Sequence, residues 1–170
     1  MEHVVYFREK FFSRGITEIL DKDNHKIGYL ELKSGFRTRA SILDENQREM
    51  MRGELKGFTS KWLMEDYQGQ ELGYVKQNYW SWNKKYHYNK AQDDQAYLFQ
   101  APVFSEAYQI QDGDGQVVGE VKRVSFFFSA PAYELTNRSL ELSTEELILA
   151  ITGVNALNRM YNAAVTSSSH

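Results

Sequence analysis

A spacing of about 23 residues, marked by aspartates at the mouths of tight turns, constrains this chain more than any other feature. Ile19 to Gly28 (I-L-D-K-D-N-H-K-I-G), Met64 to Gly73 (M-E-D-Y-Q-G-Q-E-L-G) and Ile110 to Gly119 (I-Q-D-G-D-G-Q-V-V-G) align with one another. In each, an Asp precedes a turn and a Gly follows seven residues later: Asp21 and Gly28, Asp66 and Gly73, Asp112 and Gly119. Ile42 to Met51 is a fourth copy with Asp44 but no glycine, and a fifth belongs near residue 89. One further period reaches Y-E-L-T-N-R-S-L-E-L near residue 135, which reads strand, turn, strand. An Asp side chain can bond the backbone two residues on, so each unit reads as a hairpin with a tight loop. Six hairpins predict about twelve strands, nearly all antiparallel. Nine residues before each turn lies Phe12, Gly35, Gly57, Trp80, Val103 or Phe126, the expected corners between hairpins.

The second constraint is near the end of the chain. Glu145 to Ala164 reads as the one long helix, and Leu147 to Ile151 is apolar at five consecutive positions. A helix apolar all round must be enclosed, and the run is far shorter than the roughly 20 residues that span a bilayer. A closed barrel removes sheet edges, and about twelve strands leave an interior too wide for side chains alone. The helix therefore reads as the plug. A propeller would need blades of about 40–45 residues, and a sandwich would give the helix no interior. Ser143 is the expected N-cap, with Glu146 completing a capping box. Gly153 costs about 1 kcal/mol in mid-helix, and either close approach of the barrel wall or a tolerated kink accounts for it. Asn155, Asn158, Arg159 and Asn162 form one polar stripe, expected to leave the plug and reach a polar rim. One barrel domain is expected over residues 1–165, with the plug at about 144–164 and a frayed tail at 166–170.

With these motifs in place, the chain resembles the tubby-like superfamily, particularly its small tubby C-terminal-like and LURP-one-related members. The resemblance rests on the three Asp hairpins, the Ile42 to Met51 copy, the strand P-A-Y-E-L and the closing helix E-E-L-I-L-A-I-T-G-V-N. It implies a barrel of about twelve strands around a buried C-terminal helix. Many small members carry an Asp where this chain has Asn155. Tubby proteins bind phosphoinositide headgroups through basic side chains, and phospholipid scramblases share the fold. Neither set of positions matches this sequence residue by residue, so neither activity is carried over; a shared fold is not a site.

Composition narrows the function. A net charge of −3 and a pI near 5.8 argue against a nucleic-acid binder. Without cysteine there is no thiolate nucleophile or thiolate metal site, which accords with a cytoplasmic protein. No leader pattern and no transmembrane segment is apparent. His3, His25, His87 and His170 lack metal-ligand spacing, the acidic turns lack the ligands of a calcium loop, and no catalytic triad or phosphate loop appears. The expectation is a non-catalytic protein without a cofactor.

One stretch stands out as a binding surface. Tyr74 to Lys90 carries four lysines, no acid and six aromatics. Lysine meets anionic headgroups and Trp and Tyr prefer the membrane interface, so Trp80, Trp82, Lys84 and Lys85 are the expected contacts for an anionic phospholipid. Arg159 could line a polar pocket at the barrel mouth or cap the rim. The competing reading of the stretch is a strand pair whose aromatics fill the barrel. The competing function is a protein-interaction or scaffold module whose rim binds another protein, with an enzyme of unrecognised site third.

Overall fold

In the computed structural model the structure is described for residues 3–8, 15–33, 38–57, 60–78, 85–92, 95–100, 107–124 and 132–167. Twelve antiparallel strands close into a barrel, followed by one helix. The strands are β1 (His3–Phe7), β2 (Gly15–Asp21), β3 (Lys26–Lys33), β4 (Arg39–Leu43), β5 (Glu49–Leu55) and β6 (Lys61–Asp66). They continue as β7 (Glu71–Asn78), β8 (Lys85–Lys90), β9 (Ala96–Gln100), β10 (Ala107–Gln111), β11 (Val117–Val124) and β12 (Ala132–Asn137). Each strand pairs with its neighbours in sequence, and β1 pairs with both β2 and β12, which closes the ring. The expected barrel is the observed one.

The Asp repeat sets one end of this barrel. Asp21, Asp44, Asp66 and Asp112 use the same hydrogen bonds. In each turn Oδ1 accepts the backbone N–H groups two and four residues on, at 2.8–3.0 Å. The residue three positions on donates its N–H to the Asp carbonyl and takes a positive φ: Asn24, Gln47, Gly69 and Gly115. A bulge then shifts the register, between Ile19/Leu20, Ile42/Leu43, Met64/Glu65 and Ile110/Gln111. A left-handed residue followed by a bulge is the geometry of a short hairpin loop that preserves strand twist. The glycine seven residues after Asp serves packing. A Cβ on Gly28 would lie 2.7 Å from the Leu43 carbonyl oxygen, and one on Gly73 would lie 2.8 Å from the Tyr88 ring.

Two repeat copies depart from expectation. The β8–β9 loop has no Asp at the turn position and is a residue longer, closing with Lys90 N–H to the Gln95 carbonyl. The copy near residue 135 is one strand, β12, then a turn and the helix, and β1, which precedes the first repeat copy, brings the count to twelve. Asn137 explains the difference. Its Oδ1 accepts the Ser139 N–H at 2.9 Å, as Asp does elsewhere, but its Nδ2 donates to the Leu142 carbonyl at 2.9 Å. Ser139 Oγ accepts from Glu141 and Leu142 N–H, and the chain turns inward instead of back along the wall. Of the predicted corners only Gly57, exposed at a positive φ, lies within the described residues.

The helix α1 (Thr144–Ser167) enters from the Asp-turn end and packs on β4 to β7 and β12. Ser143 Oγ accepts the Glu146 N–H at 3.0 Å, and the Glu146 carboxyl takes a hydrogen bond from the Ser143 backbone in return. The capping box is complete. Every residue from Glu146 to Leu157 is buried, a length of about 18 Å at 1.5 Å per residue. Asn158, Arg159 and Met160 are half-buried and Tyr161 to Ala164 exposed. The division expected at Asn155 is therefore displaced: Asn155 is inside the barrel, because the enclosed segment continues through Ala156 and Leu157.

Gly153 is explained by the wall. A Cβ there would lie 2.5 Å from Trp62 Cγ, and one on Gly53 would lie 2.5 Å from Trp62 Cε2. The wholly buried Trp62 indole is held between two glycines, one on β5 and one on the helix. Close approach, not a kink, is the reason for the glycine.

Candidate functional site

Alternation sorts the basic-aromatic stretch into two faces. Val75, Tyr86 and Tyr88 point into the barrel and are buried, while Tyr74, Lys76, Lys85 and His87 belong to the outer face. Some of its aromatics thus fill the core, while Lys76 and Lys85 face outward. Trp80, Trp82 and Lys84 lie outside the described residues.

Register extends the outer face beyond the stretch. Lys61 on β6 pairs with Lys76 on β7, and Lys76 pairs with His87 on β8. Lys61, Lys76 and His87 thus stand in one row across three strands, and the two lysines are like charges directly opposite, which is destabilising. Lys85 lies two residues from His87 on the same face. Lys61, Lys76 and Lys85 have no acidic partner within ion-pair distance among the described residues, and Lys61 instead lies 4.4 Å over the Tyr74 ring. Half-buried Leu63 and Leu98 complete a surface of cations and apolar side chains. Burial lowers the His87 pKa, and the Lys76 and Lys85 ammonium groups lower it further. Its imidazole is a neutral member of the row at neutral pH. Lys61 was missed in the sequence because it lies outside the stretch; counting register from the Asp66 turn would have paired it with Lys76.

The neighbouring outer face differs. On β4 to β6, Arg39 and Arg52 flank Glu49, and Arg52 also pairs with Glu65 at 2.8 Å. Burial alone would raise the Glu49 pKa. The Ser41 hydroxyl at 2.7 Å and the two guanidiniums reverse this and hold it below the ordinary carboxylate range. These charges satisfy one another, whereas the lysine row does not.

At the Asp-turn end a second group of polar side chains secures the helix start. Tyr88 hydroxyl contacts the buried Glu146 carboxyl and the Leu72 carbonyl, and Tyr97 hydroxyl donates to Glu141 at 2.9 Å. Burial raises the Glu146 pKa against the lowering influence of Tyr88, Lys90 and Ser143. Burial first, then the adjacent carboxylates, raises both tyrosines above their usual range. Hydroxyls held this firmly in their protonated form are weak acids that serve as hydrogen-bond donors, and this group reads as a structural latch. Arg159 lies half-buried on the emerging part of α1, far along the helix from this latch and on a different element from Lys85. Asp21, Asp23 and His25 approach one another, but Asp21 Oδ1 already takes two backbone N–H groups.

The fold has a solved counterpart. The X-ray structure of the Arabidopsis thaliana protein AT5G01750 superposes with a TM-score of 0.59 over 94% of this chain and 91% of that one, at 11% identity. No family model matches the sequence. No curated protein matches it significantly. No helix among the described residues is long and apolar enough to cross a membrane.

Proposed function

We propose that this chain is a single-domain, non-catalytic binding module of the tubby-like, LURP-one-related class that docks peripherally on anionic phospholipid. The observation that carries the reading is the uncompensated row Lys61–Lys76–His87, with Lys85 beside it and Tyr74, Leu63 and Leu98 between the charges. Lys61 directly opposite Lys76 places like charges together at a folding cost, and an anionic surface offsets it. Each lysine near such a surface contributes about 1 kcal/mol. Three lysines give about 3 kcal/mol, a roughly 150-fold preference for anionic over neutral membrane, which is a weak and reversible attachment. Trp80, Trp82 and Lys84, which lie between β7 and β8 in the sequence, are the proposed insertion elements of this contact, in a cytoplasmic protein without a cofactor. Arg159, on the emerging part of α1, is proposed as a further cation of the contact.

Co-sedimentation with vesicles of phosphatidylcholine alone and of phosphatidylcholine with phosphatidylserine tests this reading. Pelleting with the anionic vesicles that disappears as salt is raised is expected. Absence of lipid-dependent pelleting at low salt would contradict it.

A further inference from the structure

The opposite end of the barrel carries a different surface. Between the β2–β3 and β4–β5 turns and the first turn of α1 lies a shallow slot, lined by Ile19, Ile27, Leu43, Met50, Glu145 and Ile148. Ile27 and Met50 are each 39% exposed, although both belong to strands whose other apolar residues turn inward. They occupy the same repeat position, six residues after Asp21 and Asp44. The repeat thus places two apolar side chains side by side at the mouth, where neither has a core to join.

The charge around this slot is acidic. Asp21, Asp23, Asp44, Glu45 and Glu145 stand on the two flanking turns and the helix start, against Lys22, Lys26 and Arg48. Lys26 is already drawn over the Tyr29 ring at 5.0 Å. Glu145, at the slot itself and half-exposed, has no ion-pair partner among the described residues. An apolar slot with a free carboxylate at its edge fits a side chain that buries a methylene stem and ends in a cation, and the surrounding field speeds encounter with a basic partner.

We propose that this slot is a docking site for a basic segment of a partner protein that lays apolar side chains over the exposed Ile27 and Met50. It lies at the end of the barrel remote from the lysine row and stands independently of lipid binding. The two surfaces together make the module a bridge, with its basic side on an anionic membrane and its acidic mouth turned outward.

The test uses the full chain, labelled at Ile and Met methyl groups, and three synthetic peptides of equal length: Lys with Leu, Glu with Leu, and Lys with Ser. The Lys–Leu peptide should bind saturably, shifting the methyl signals of Ile19, Ile27, Met50 and Ile148 while leaving the Met160 signal in place. The other two peptides should bind at least tenfold more weakly. Ile27→Ser combined with Met50→Ser should weaken the Lys–Leu peptide at least tenfold, and Glu145→Gln should weaken it several-fold while leaving the fold intact. Equal binding of the Lys–Ser peptide would reduce the effect to bulk charge attraction and overturn the proposal. Equal binding of the Glu–Leu peptide, shifts that avoid the slot, or unchanged affinity in both variants would overturn it equally.

Discussion

Replacing Gly153 by Ala puts two effects of opposite sign in competition. At an exposed helical position the change is worth about 1 kcal/mol in favour of Ala. Here the new methyl would fall 2.5 Å from Trp62 Cγ and 2.9 Å from Trp62 Nε1. The indole has nowhere to retreat, because Gly53 lies against its other face and the side chain is wholly buried. Overpacking of a filled core costs about 1–3 kcal/mol, and a pinned ring belongs at the upper end. The net expectation is a loss of about 2 kcal/mol, or about 4–8 °C in Tm for a chain of this size. Urea unfolding followed by far-UV circular dichroism measures it. A double-mutant cycle with Trp62→Phe, which shortens the obstructing ring, should show a coupling of about 1 kcal/mol or more. A Gly153→Ala protein more stable than its parent would refute the close-packing account.

Four further expectations concern the turns, the plug and pH. Both N–H groups bound by Asp66 go to the same oxygen, so Asp66→Asn should be mild while Asp66→Ala costs about 1 kcal/mol in the same urea assay. Gln47 holds the left-handed position that Gly69 and Gly115 occupy elsewhere, and Gln47→Gly should stabilise by about 1 kcal/mol; a loss would contradict the shared-turn geometry. Leu149, fully buried, should not tolerate Asp, whereas exposed Asn162→Ala should be nearly silent in soluble yield. The pKa of Glu146 is raised by burial, so the folded state keeps its proton after the unfolded state has lost it. This contribution is complete below the ordinary Glu pKa and declines as pH rises toward the folded value. Stability of the native protein relative to Glu146→Gln should fall across that window; a flat or rising difference would show that the carboxyl is already ionised.

Much of the architecture was legible because it rests on local chemistry repeated many times. Asp at a turn mouth, Gly at the close approach and alternation between them specify a hairpin without reference to anything distant. The plug helix was legible for a complementary reason, since five apolar residues in a row leave a helix no exposed side. What failed was context. Asn137 reads like another turn residue, yet its amide can donate to the Leu142 carbonyl, an option no Asp carboxylate has, and the chain enters the barrel there. Asn155 reads as a rim residue because polar side chains usually mark a boundary, but the height of the wall decides where the rim falls. The lysine row was half visible: Lys76 and Lys85 lie in one basic stretch, whereas Lys61 joins them only through strand register. Ile27 and Met50 are ordinary strand residues in sequence, and their exposure beside each other is set by the pairing of the hairpins at the barrel mouth.

The central claim is that an uncompensated basic row on β6 to β8 meets an anionic membrane. Its most direct test is vesicle binding by the Lys61→Gln, Lys76→Gln double variant, compared with the parent on phosphatidylserine-containing vesicles at low salt. Both side chains are exposed and unpaired by acid among the described residues, so folding should be retained. Removing two charges should cost about 2 kcal/mol, a roughly 30-fold loss of affinity, with a shallower dependence on salt. Binding unchanged from the parent would contradict the assignment of this face.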